Sequence, residues 1–375
     1  MNKDVENLLT RGVVEVIDLE NLKKKLASGK KLRVKLGIDP TSPNIHIGRA
    51  VALWKLRAFQ DLGHTAVFII GDATGVVGDT SDKESERPIL TGAQVKENMK
   101  SYFDQALKIL DPKKTETHYN SEWLGKLGFE ELANMANLFG LNEFSSREVI
   151  ARRLKAGQRV SFHELLYPLM QGYDSVAVKA DVELGGTDQR FNLLAGRTIQ
   201  KFYGQEPQDI MMTDLLEGTD GRKMSSSWGN TINITDEPNE MYGKIMSVRD
   251  ELLPRYFYLC TNVSREVIEE AEQGHNPKTT KMHLAREIVS RYYGAETATK
   301  AQESFEATFS KGGVPENIET VTAPKGTPLV EILLTKGLVS SKTEFNRLDK
   351  AGAIEEIENG VYRIGKHRFL KIEFR

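Results

Sequence analysis

Hydrophobic and polar residues alternate over residues 32–38 (LRVKLGI), and this period of two predicts a β-strand. A loop with two prolines follows, and apolar residues then return at helical spacing from residue 45 to residue 62. The continuous apolar run at residues 66–71 is typical of a buried parallel strand. The same succession of strand, helix and strand recurs at residues 182–213, so we predict an α/β domain with a parallel sheet.

The pattern changes after Gly229. Residues 236–310 show helical spacing, as in the segment HLAREIVSRYYG, and predict a small helical domain. Residues 311–328 are rich in glycine, proline and polar residues, which indicates a linker. A short mixed α/β segment follows the linker. The predicted domains therefore span residues 1–228, 229–315 and 325–375.

The charge balance restricts the classes of partner. The chain of 375 residues has 51 Lys and Arg against 53 Asp and Glu, which gives a net charge of −2. A uniformly basic surface for nucleic acid is therefore excluded, and any contact with RNA or DNA must be local. Residues 325–375 carry 10 basic and 7 acidic side chains, so this segment is the basic end of an acidic protein.

The cysteine content and the apolar runs indicate the compartment. Cys260 is the single cysteine, so the chain forms no internal disulfide and no cysteine-based zinc site. Residues 1–6 do not look like a signal peptide, and no apolar run approaches the length of a membrane span. We therefore expect a cytoplasmic protein that does not enter a membrane.

Several common catalytic signatures are absent from the sequence. No glycine-rich loop ends in Gly-Lys-Ser/Thr, which argues against a P-loop protein. His163-Glu164 is not followed by the second histidine of a zinc-binding helix, and the seven histidines show no ligand spacing. We expect no protein-bound metal site.

A first short motif, HIGR at residues 46–49, indicates a nucleotide site. It follows the first predicted strand and its loop, where a helix would begin. Free N–H groups and the positive end of the helix dipole favour a phosphate at such a place. Gly48 allows a base or ribose to approach the backbone, and His46 can donate to a phosphate oxygen. The alternative is a helix start with an incidental histidine.

A second motif, GRKMSSS at residues 221–227, follows the last strand of the predicted α/β domain. A mobile loop with adjacent cations and hydroxyls can close over a polyphosphate and stabilise charge in the transition state. The alternative for this segment on its own is a solvated basic turn.

Together and in this order, the two motifs resemble those of class I aminoacyl-tRNA synthetases, with HIGR at the HIGH position and KMSSS at the KMSKS position. Nearly the whole chain is similar to bacterial tyrosyl-tRNA synthetases, above all residues 37–48, 71–87, 167–192 and 276–289. Residues 337–354 resemble an S4-type RNA-binding module. The resemblance implies a Rossmann-like parallel-sheet catalytic domain, an α-helical domain on the anticodon side and a small S4-like α+β RNA-binding domain.

The reaction that the resemblance implies has two steps. L-tyrosine reacts with ATP, which enters with Mg²⁺ as a substrate complex, to give tyrosyl-adenylate and pyrophosphate. Tyrosine then passes to the 3′ end of tRNA-Tyr. The attacking carboxylate is already an anion, so no general base is required and catalysis depends on alignment and charge stabilisation. The resemblance also implies a homodimer.

Three candidates for binding tyrosine share one helix face, because Tyr167, Gln171 and Asp174 are spaced i, i+4 and i+7. By resemblance, Asp79, Tyr167 and Gln171 accept from the ammonium of tyrosine, and Asp174 binds its phenolic hydroxyl. Phenylalanine would leave this buried acceptor unpaired. The alternative is an amphipathic helix whose polar residues face solvent.

The remaining candidates are assigned by resemblance. The tyrosine pocket would also include Lys35, Thr74 and Gln189, the last of these near the substrate carboxylate. The ATP site would include Asp39, Thr41, His46, Gly48, Arg49, Gly186, Asp188, Lys223, Met224 and Ser226. Asp188 would accept from the ribose hydroxyls, and the catalytic residues would be Thr41, His46, Lys223 and Ser226. Glycine, aspartate and threonine are also common in turns, which is the alternative for several of these positions.

Three positions depart from the common pattern of the family. Lys35 stands where many members have a second tyrosine that donates to the substrate hydroxyl. Arg49 replaces the last histidine of the first motif. Ser226 replaces the second lysine of the loop motif, so Lys223 and Arg222 must carry more of the charge stabilisation.

Two groups of basic residues are candidates for contact with RNA. By resemblance, one group lies near the dimer interface and the acceptor arm of tRNA; it consists of Arg147, Arg152, Arg153, Lys155 and Arg159. A solvated helix face is the alternative for this group. The other group lies on a predicted helix-turn-helix pair near the C-terminus and consists of Lys336, Lys342, Arg347 and Lys350.

Three other functions share some of these features. Tryptophanyl-tRNA synthetases have the same nucleotide motifs, but Asp174 and the spacing of Tyr167 and Gln171 disfavour them. A small-molecule nucleotidyltransferase would not need a helical domain and a basic tail. A non-catalytic RNA-binding relative of a synthetase is disfavoured by the intact His46, Asp79 and Lys223.

Overall fold

The computed structural model describes residues 3–79, 90–274, 276–310, 318–339, 341–358, 360–365 and 368–375. Residues 80–87 of the similar stretch at 71–87, and residues 311–317 of the predicted linker, lie outside the described residues. The chain divides into two compact units, Met1–Ala295 and Glu296–Arg375. The predicted boundary at residue 228 falls within the first unit and stays a prediction.

Strands and helices are labelled in chain order within the described residues. The strands are β1 Val13–Ile17, β2 Arg33–Ile38, β3 Thr65–Ile70, β4 Thr115–Tyr119, β5 Val182–Gly186, β6 Asp209–Thr213, β7 Thr320–Ala323, β8 Ile354–Glu358, β9 Val361–Ile364 and β10 Arg368–Phe374. The α-helices are α1 Lys3–Thr10, α2 Leu19–Ala27, α3 Ile47–Asp61, α4 Asp72–Val77, α5 Gly92–Met99, α6 Tyr102–Leu107, α7 Ser121–Leu124, α8 Phe129–Ala136, α9 Leu141–Ser145, α10 Glu148–Lys155, α11 Leu166–Ala177, α12 Arg190–Phe202, α13 Pro238–Met246, α14 Leu253–Cys260, α15 Arg265–Gln273, α16 Pro277–Tyr293, α17 Ala295–Ser310, α18 Leu329–Thr335 and α19 Lys342–Lys350. Short 3-10 helices include Phe162–Leu165, Thr187–Gln189 and Ser226–Trp228.

The first unit is built on a six-stranded sheet in the order β1-β6-β5-β2-β3-β4. The strands from β6 to β4 are parallel, and β1 is antiparallel to β6. The predicted α/β fold and its parallel sheet are therefore confirmed. Helices α13 to α17 confirm the helical segment predicted at residues 236–310.

The central strands are buried on both faces. All six residues of β3 are buried, and so are Val34, Lys35 and Leu36 in succession in β2. The alternation in β2 therefore does not mark a face in solvent, and the side chain of Lys35 lies inside the protein. Helix α3 contacts β2, β3 and β5, whereas α11 and α12 pack on each other.

The strand order determines where a ligand can bind. From β2, the sheet extends through β3 and β4 toward one edge, and β5 is then added on the opposite side of β2. The direction of the strand order therefore reverses between β2 and β5. In open α/β sheets, ligands bind at the carboxyl ends of the strands beside such a switch point. Here those ends are Ile38 of β2 and Gly186 of β5.

The second unit contains a four-stranded sheet in the order β7-β10-β9-β8 together with α18 and α19. Its core includes Leu333, Ile364 and Leu370. This confirms the mixed α/β segment and the pair of helices near the C-terminus. The linker predicted at residues 311–328 is wrong where β7 lies, because this segment pairs with β10, a strand far along the chain. Its four residues are too few for the alternation of threonine with Val321 and Ala323 to predict a strand.

Candidate functional site

Loops at the carboxyl ends of the central strands bring most of the predicted site residues together. Asp39 follows β2, Thr74 lies in α4 just after β3, and Asp188 and Gln189 follow β5. Tyr167, Gln171 and Asp174 lie in α11, as the spacing predicts.

Asp174 is buried and holds two hydrogen bonds from donors that the sequence analysis does not identify. Its carboxylate, 3% exposed, accepts from the Trp123 indole at 2.7 Å and from the Asn120 amide at 3.3 Å. Burial raises the pKa of Asp174 to about 7, although the charge of Lys35 and the two hydrogen bonds oppose this shift. The carboxyl group therefore changes charge near neutral pH.

A chain of hydrogen bonds connects Asp174 to the loop after β2. The Asn120 amide also donates to the Thr74 hydroxyl at 2.9 Å, and Thr74 donates to Asp39 at 2.7 Å. The second carboxylate oxygen of Asp39 accepts from the Tyr167 hydroxyl at 2.9 Å. Burial raises the pKa of Tyr167 well above its usual value, so this hydroxyl stays a donor.

Gly71 makes the close approach of these groups possible. A Cβ atom at this position would lie 2.1 Å from Oδ1 of Asp39 and 2.2 Å from Oγ1 of Thr74. Both distances are too short for any contact, so a side chain here would separate Asp39 from Thr74.

Asp79 and Gln189 are neighbours in the structure. The Gln189 amide nitrogen donates to Asp79 at 2.6 Å, and its oxygen accepts from Asn192 at 3.0 Å. We expected Gln189 to face the substrate carboxylate, but here its amide nitrogen is held by Asp79. The structure thus connects Gln189 to the residue expected to bind the substrate ammonium.

Lys35, which the resemblance places in the tyrosine pocket, has three partners within the protein. Its ammonium donates to the backbone carbonyl of Gln171 and to the Ser175 hydroxyl, each at 2.8 Å. It also forms an ion pair with Glu183 at 2.9 Å. Each proton of the ammonium thus has a partner within the protein, and a direct contact of Lys35 with the substrate stays a prediction.

The HIGR motif begins helix α3, as the sequence predicts, with His46 as its N-cap. Nδ1 of His46 accepts from the Arg49 backbone N–H at 3.3 Å, so a neutral ring carries its proton on Nε2. Burial lowers the pKa of His46 to about 3, and the charges of Arg49 and Lys223 act in the same direction. His46 is therefore a neutral side chain that can donate from Nε2 to a phosphate oxygen.

The two motifs meet because the segment after the loop pairs with the chain that enters α3. The Ile47 N–H donates to the carbonyl of Ile232 at 2.8 Å, and Ile234 donates to Ile45 at 3.0 Å. Met224 is buried, and its sulfur would lie 3.4 Å from a Cβ atom placed on Gly48. The loop motif therefore lies over the N-terminus of α3.

Lys223 and Asp188 face each other across the nucleotide end of the site. Their charged atoms are 3.3 Å apart. Burial raises the pKa of Asp188 to about 6 and lowers the pKa of Lys223. Gly186 allows Asp188 to approach, since a Cβ atom there would lie 2.5 Å from the carboxylate.

Arg49, which departs from the common pattern, points into the loop after β2. Its guanidinium donates to the Thr41 hydroxyl at 2.7 Å and to the Tyr102 hydroxyl at 2.9 Å. The cation thus holds Thr41, a predicted catalytic residue, beside the start of α3.

Side chains of the loop at residues 218–229 and of the adjoining Asn230 hold this loop together. Asn230 accepts from the Ser225 backbone at 2.9 Å and donates to Asp220 at 2.8 Å. Asp220 also pairs with Arg222, whose guanidinium lies 4.9 Å from the centre of the Trp228 ring. Ser226 is exposed and begins the short 3-10 helix.

Comparisons with known proteins show the family of this chain. Residues 27–310 match the family described as tRNA synthetases class I (W and Y). The tyrosine–tRNA ligase of Thermotoga maritima is 46% identical over 385 residues, which cover 97% of this chain and 96% of the relative. The tyrosine–tRNA ligase of Carboxydothermus hydrogenoformans is also 46% identical and covers 98% and 97%. The chain belongs to the tyrosine–tRNA ligases of the class I synthetase family.

Solved structures share the fold of this tyrosine–tRNA ligase family member. A C-terminally truncated mitochondrial tyrosyl-tRNA synthetase from Coccidioides posadasii has a TM-score of 0.65 at 24% identity, covering 81% of this chain and 92% of that one. The tyrosyl-tRNA synthetase from Archaeoglobus fulgidus in complex with L-tyrosine has a TM-score of 0.63 at 22% identity, with 80% and 100% covered.

Three residues of this ligase family member lie in the site but are not singled out by its sequence. Asn120 and Trp123 follow β4, a polar strand with no clear alternation. Glu183 lies inside β5 and reads as part of an apolar strand. Glu183 is connected to the site because it lies opposite Lys35 in the register of the sheet. This register can be known only once the fold is known.

One basic cluster of this chain differs from its prediction. Arg153 is 1% exposed and pairs with the buried Glu164 at 2.7 Å, so it offers no charge to RNA. Arg147 lies over the rings of Phe144 and Phe191. Arg153 thus serves in packing, since hydrophobic spacing on α10 cannot distinguish a buried arginine from a solvated one. The contact with RNA stays a prediction for the other members of the cluster.

No helix in the described residues is both long and apolar enough to cross a membrane. The described ranges also contain no group of three His, Cys, Asp or Glu side chains placed to hold a metal ion.

Proposed function

We propose that the chain is a tyrosine–tRNA ligase that activates L-tyrosine with ATP and transfers it to tRNA-Tyr. The observation that carries the proposal is the buried Asp174 at one end of a site whose other end contains both nucleotide motifs. Full-length similarity to tyrosine–tRNA ligases supports it.

Asp174 is proposed to select tyrosine. Its ionised carboxylate has lone pairs beyond the two that Trp123 and Asn120 use, so it can accept from the phenolic hydroxyl. Phenylalanine would desolvate the same carboxylate and return no hydrogen bond. Discrimination against phenylalanine therefore needs no second, editing site.

The other end of the amino acid is proposed to bind acceptors near Asp79. Tyr167 projects from α11 to Asp39 in the loop after β2, and Gln171 lies one turn further along the same helix. The ammonium of tyrosine would bind Asp79, Tyr167 and Gln171, and Thr74 would line the pocket. This arrangement leaves the substrate carboxylate directed toward the nucleotide.

Activation is proposed to occur by direct attack. A carboxylate oxygen of tyrosine forms a bond to the α-phosphorus of ATP, and the bond from that phosphorus to the pyrophosphate oxygen breaks. His46 donates from Nε2 to a phosphate oxygen, while Thr41, Arg49, Lys223 and Ser226 hold the polyphosphate. Their N–H and O–H groups stabilise the charge that develops on the phosphate oxygens.

The adenosine is proposed to lie between Gly48, Gly186 and Met224, with its ribose on Asp188. The ribose hydroxyls donate to Asp188, and Lys223 then leaves this carboxylate for the phosphates. Mg²⁺ enters with ATP as part of the substrate complex. Asp39 lies between the two substrates and accepts from Tyr167.

Transfer of tyrosine to tRNA is proposed to use the remaining parts of the chain. Residues 229–315 would form the helical anticodon-side domain, and residues 325–375, extended by β7, the S4-like domain. The resemblance implies a homodimer, and the exposed side chains of Phe129 and Phe162 in the first unit, at 88% and 84% exposure, are candidates for its interface. The single buried cysteine suits the reducing cytoplasm, where we place the reaction.

One assay separates the possible functions. Exchange of labelled pyrophosphate into ATP is measured with each of the twenty amino acids in turn. It should occur with tyrosine and not with phenylalanine or tryptophan. Charging of tRNA-Tyr should follow. Exchange with tryptophan would identify the tryptophanyl enzyme, and RNA binding without any exchange would identify a non-catalytic relative.

A further inference from the structure

A buried ion pair lies beneath the proposed tyrosine pocket. Lys35 of β2 and Glu183 of β5 are direct partners in the parallel register of the sheet. Their side chains are 0% and 1% exposed, and their charged atoms are 2.9 Å apart. Burying two charges is costly unless every donor and acceptor is satisfied, so the partners of this pair indicate its purpose.

Lys35 is directed at helix α11. Besides Glu183, its ammonium donates to the backbone carbonyl of Gln171 and to the hydroxyl of Ser175. A carbonyl in the middle of a helix that accepts from a buried cation fixes the helix at that turn. The same helix carries Tyr167 and Asp174, one turn away on either side.

Glu183 is directed at the side chain of Gln171. Its carboxylate accepts from the Gln171 amide nitrogen at 3.1 Å, from Ser175 at 3.2 Å and from Gln208 through a short bond. An ionised carboxylate can only accept, so the nitrogen of the Gln171 amide must face it. The oxygen of the amide is then the end available to a substrate ammonium.

We propose that Lys35 and Glu183 are positioning residues of the tyrosine pocket, which fix α11 and orient the Gln171 amide with its oxygen toward the substrate. This inference rests on the proposed function, because it takes the ligand to be an amino acid with an ammonium group. It assigns Lys35 a role through Gln171 and not a contact with the substrate hydroxyl. A purely structural ion pair would stabilise the sheet without affecting tyrosine binding.

The chain offers a matched control for the structural role. Lys25 in α2 is also a buried lysine, and it pairs with the buried Asp209 at 3.1 Å. Asp209 is the first residue of β6, and its other polar partners are Asn21 and Arg197, neither of which belongs to the proposed pocket. Lys25→Met therefore removes a comparable ion pair without touching the pocket.

The test compares Lys35→Met, Lys25→Met and the double variant Lys35→Met with Glu183→Gln in pyrophosphate exchange and thermal unfolding. Lys35→Met should raise the KM for tyrosine roughly tenfold or more and leave the KM for ATP within about twofold. Lys25→Met should lower Tm and change neither KM. In the double variant, Tm should recover toward the wild-type value because no unpaired charge is buried.

The KM for tyrosine in the double variant decides between the two roles. A glutamine at 183 has both a donor and an acceptor, so it cannot impose one orientation on Gln171, and the KM should stay raised. Recovery of the wild-type KM, or equal behaviour of Lys35→Met and Lys25→Met, would overturn the inference. If Lys35→Met does not fold, the KM for tyrosine of the double variant and of Glu183→Gln is compared with that of Lys25→Met instead. An inactive wild-type protein would refute the proposed function, whereas an active one with an unchanged KM in the variants refutes only the positioning role.

Discussion

Asp174 shows how the environment of one residue can set both specificity and pH dependence. The ionised carboxylate is the form that accepts strongly from a phenol, and burial makes that form harder to reach. The folded protein holds the proton of Asp174 up to about pH 7, while the unfolded chain releases it near the ordinary value for aspartate. The contribution of Asp174 therefore lowers the free energy of unfolding more and more as the pH rises from the pKa of the unfolded chain to about 7.

We predict that kcat/KM for tyrosine falls as the pH is lowered through about 7, because protonated Asp174 no longer accepts well from the substrate hydroxyl. One pH unit below this pKa, the loss should be about tenfold. Pyrophosphate exchange between about pH 5 and 8 measures the profile. The assay uses saturating ATP, so that Asp188, whose pKa is about 6, is already occupied by the ribose and does not shape the profile. In Asp174→Asn, the step near neutral pH should then vanish and preference for tyrosine over phenylalanine should fall; a step that persists would exclude Asp174 as its source.

Lys223 is predicted to act on the transition state. Lys223→Ala should lower kcat of pyrophosphate exchange by about a hundredfold with little change in the KM for tyrosine, since Lys223 lies at the nucleotide end of the site. Lys201→Ala, which removes an exposed cation of α12, is the control and should keep wild-type kinetics. Equal rates for Lys223→Ala and the wild type would remove Lys223 from the mechanism.

Ser226→Lys returns the charge that the loop motif has lost relative to its family. Because Ser226 is exposed at the start of a short helix, the longer side chain has room and should leave kcat unchanged or raise it. Steady-state kinetics with varied ATP measures this effect. A large loss of activity would show that this loop closes differently from the loops of its relatives.

At the scale of elements, the sequence predicts what depends on local pattern. Strands β2 and β3 and helix α3 follow from apolar spacing, and the loop after β2 follows from its prolines. The partners of Lys35 and Gln189 could not be predicted, because they depend on sheet register and on neighbours far along the chain. Strand β7 escapes prediction for the same reason.

Gly71 is predicted to be needed for the hydrogen bond between Asp39 and Thr74, at the start of helix α4. Gly71→Ala places a Cβ atom on Asp39 and Thr74, so one of these side chains must move and their hydrogen bond must break. We expect kcat/KM for tyrosine to fall about tenfold or more. Gly92→Ala is the control: no atom lies within 4 Å of its added Cβ, and alanine suits the first turn of α5. Similar kinetics for both variants would contradict the account of this loop.

At the scale of the whole molecule, adenylate formation and tRNA charging should depend on different parts of the chain. The site residues all lie in the first unit, whereas the basic residues near the C-terminus lie in the second. Removal of residues 318–375, which takes β7 together with its partner β10, should leave pyrophosphate exchange within about twofold. Charging of tRNA should weaken and lose part of its salt dependence. Unchanged charging would show that this segment does not bind RNA.

The two ends of the site each contain a tryptophan. Trp123 donates to Asp174, and Trp228 lies under Arg222 in the loop at residues 218–229. The third tryptophan, Trp54, lies in α3 against Tyr292. Intrinsic fluorescence can therefore follow each substrate separately and without a label: quenching in a Trp228→Phe protein would report the arrival of the amino acid, and the additional signal of the unmodified chain would report the nucleotide.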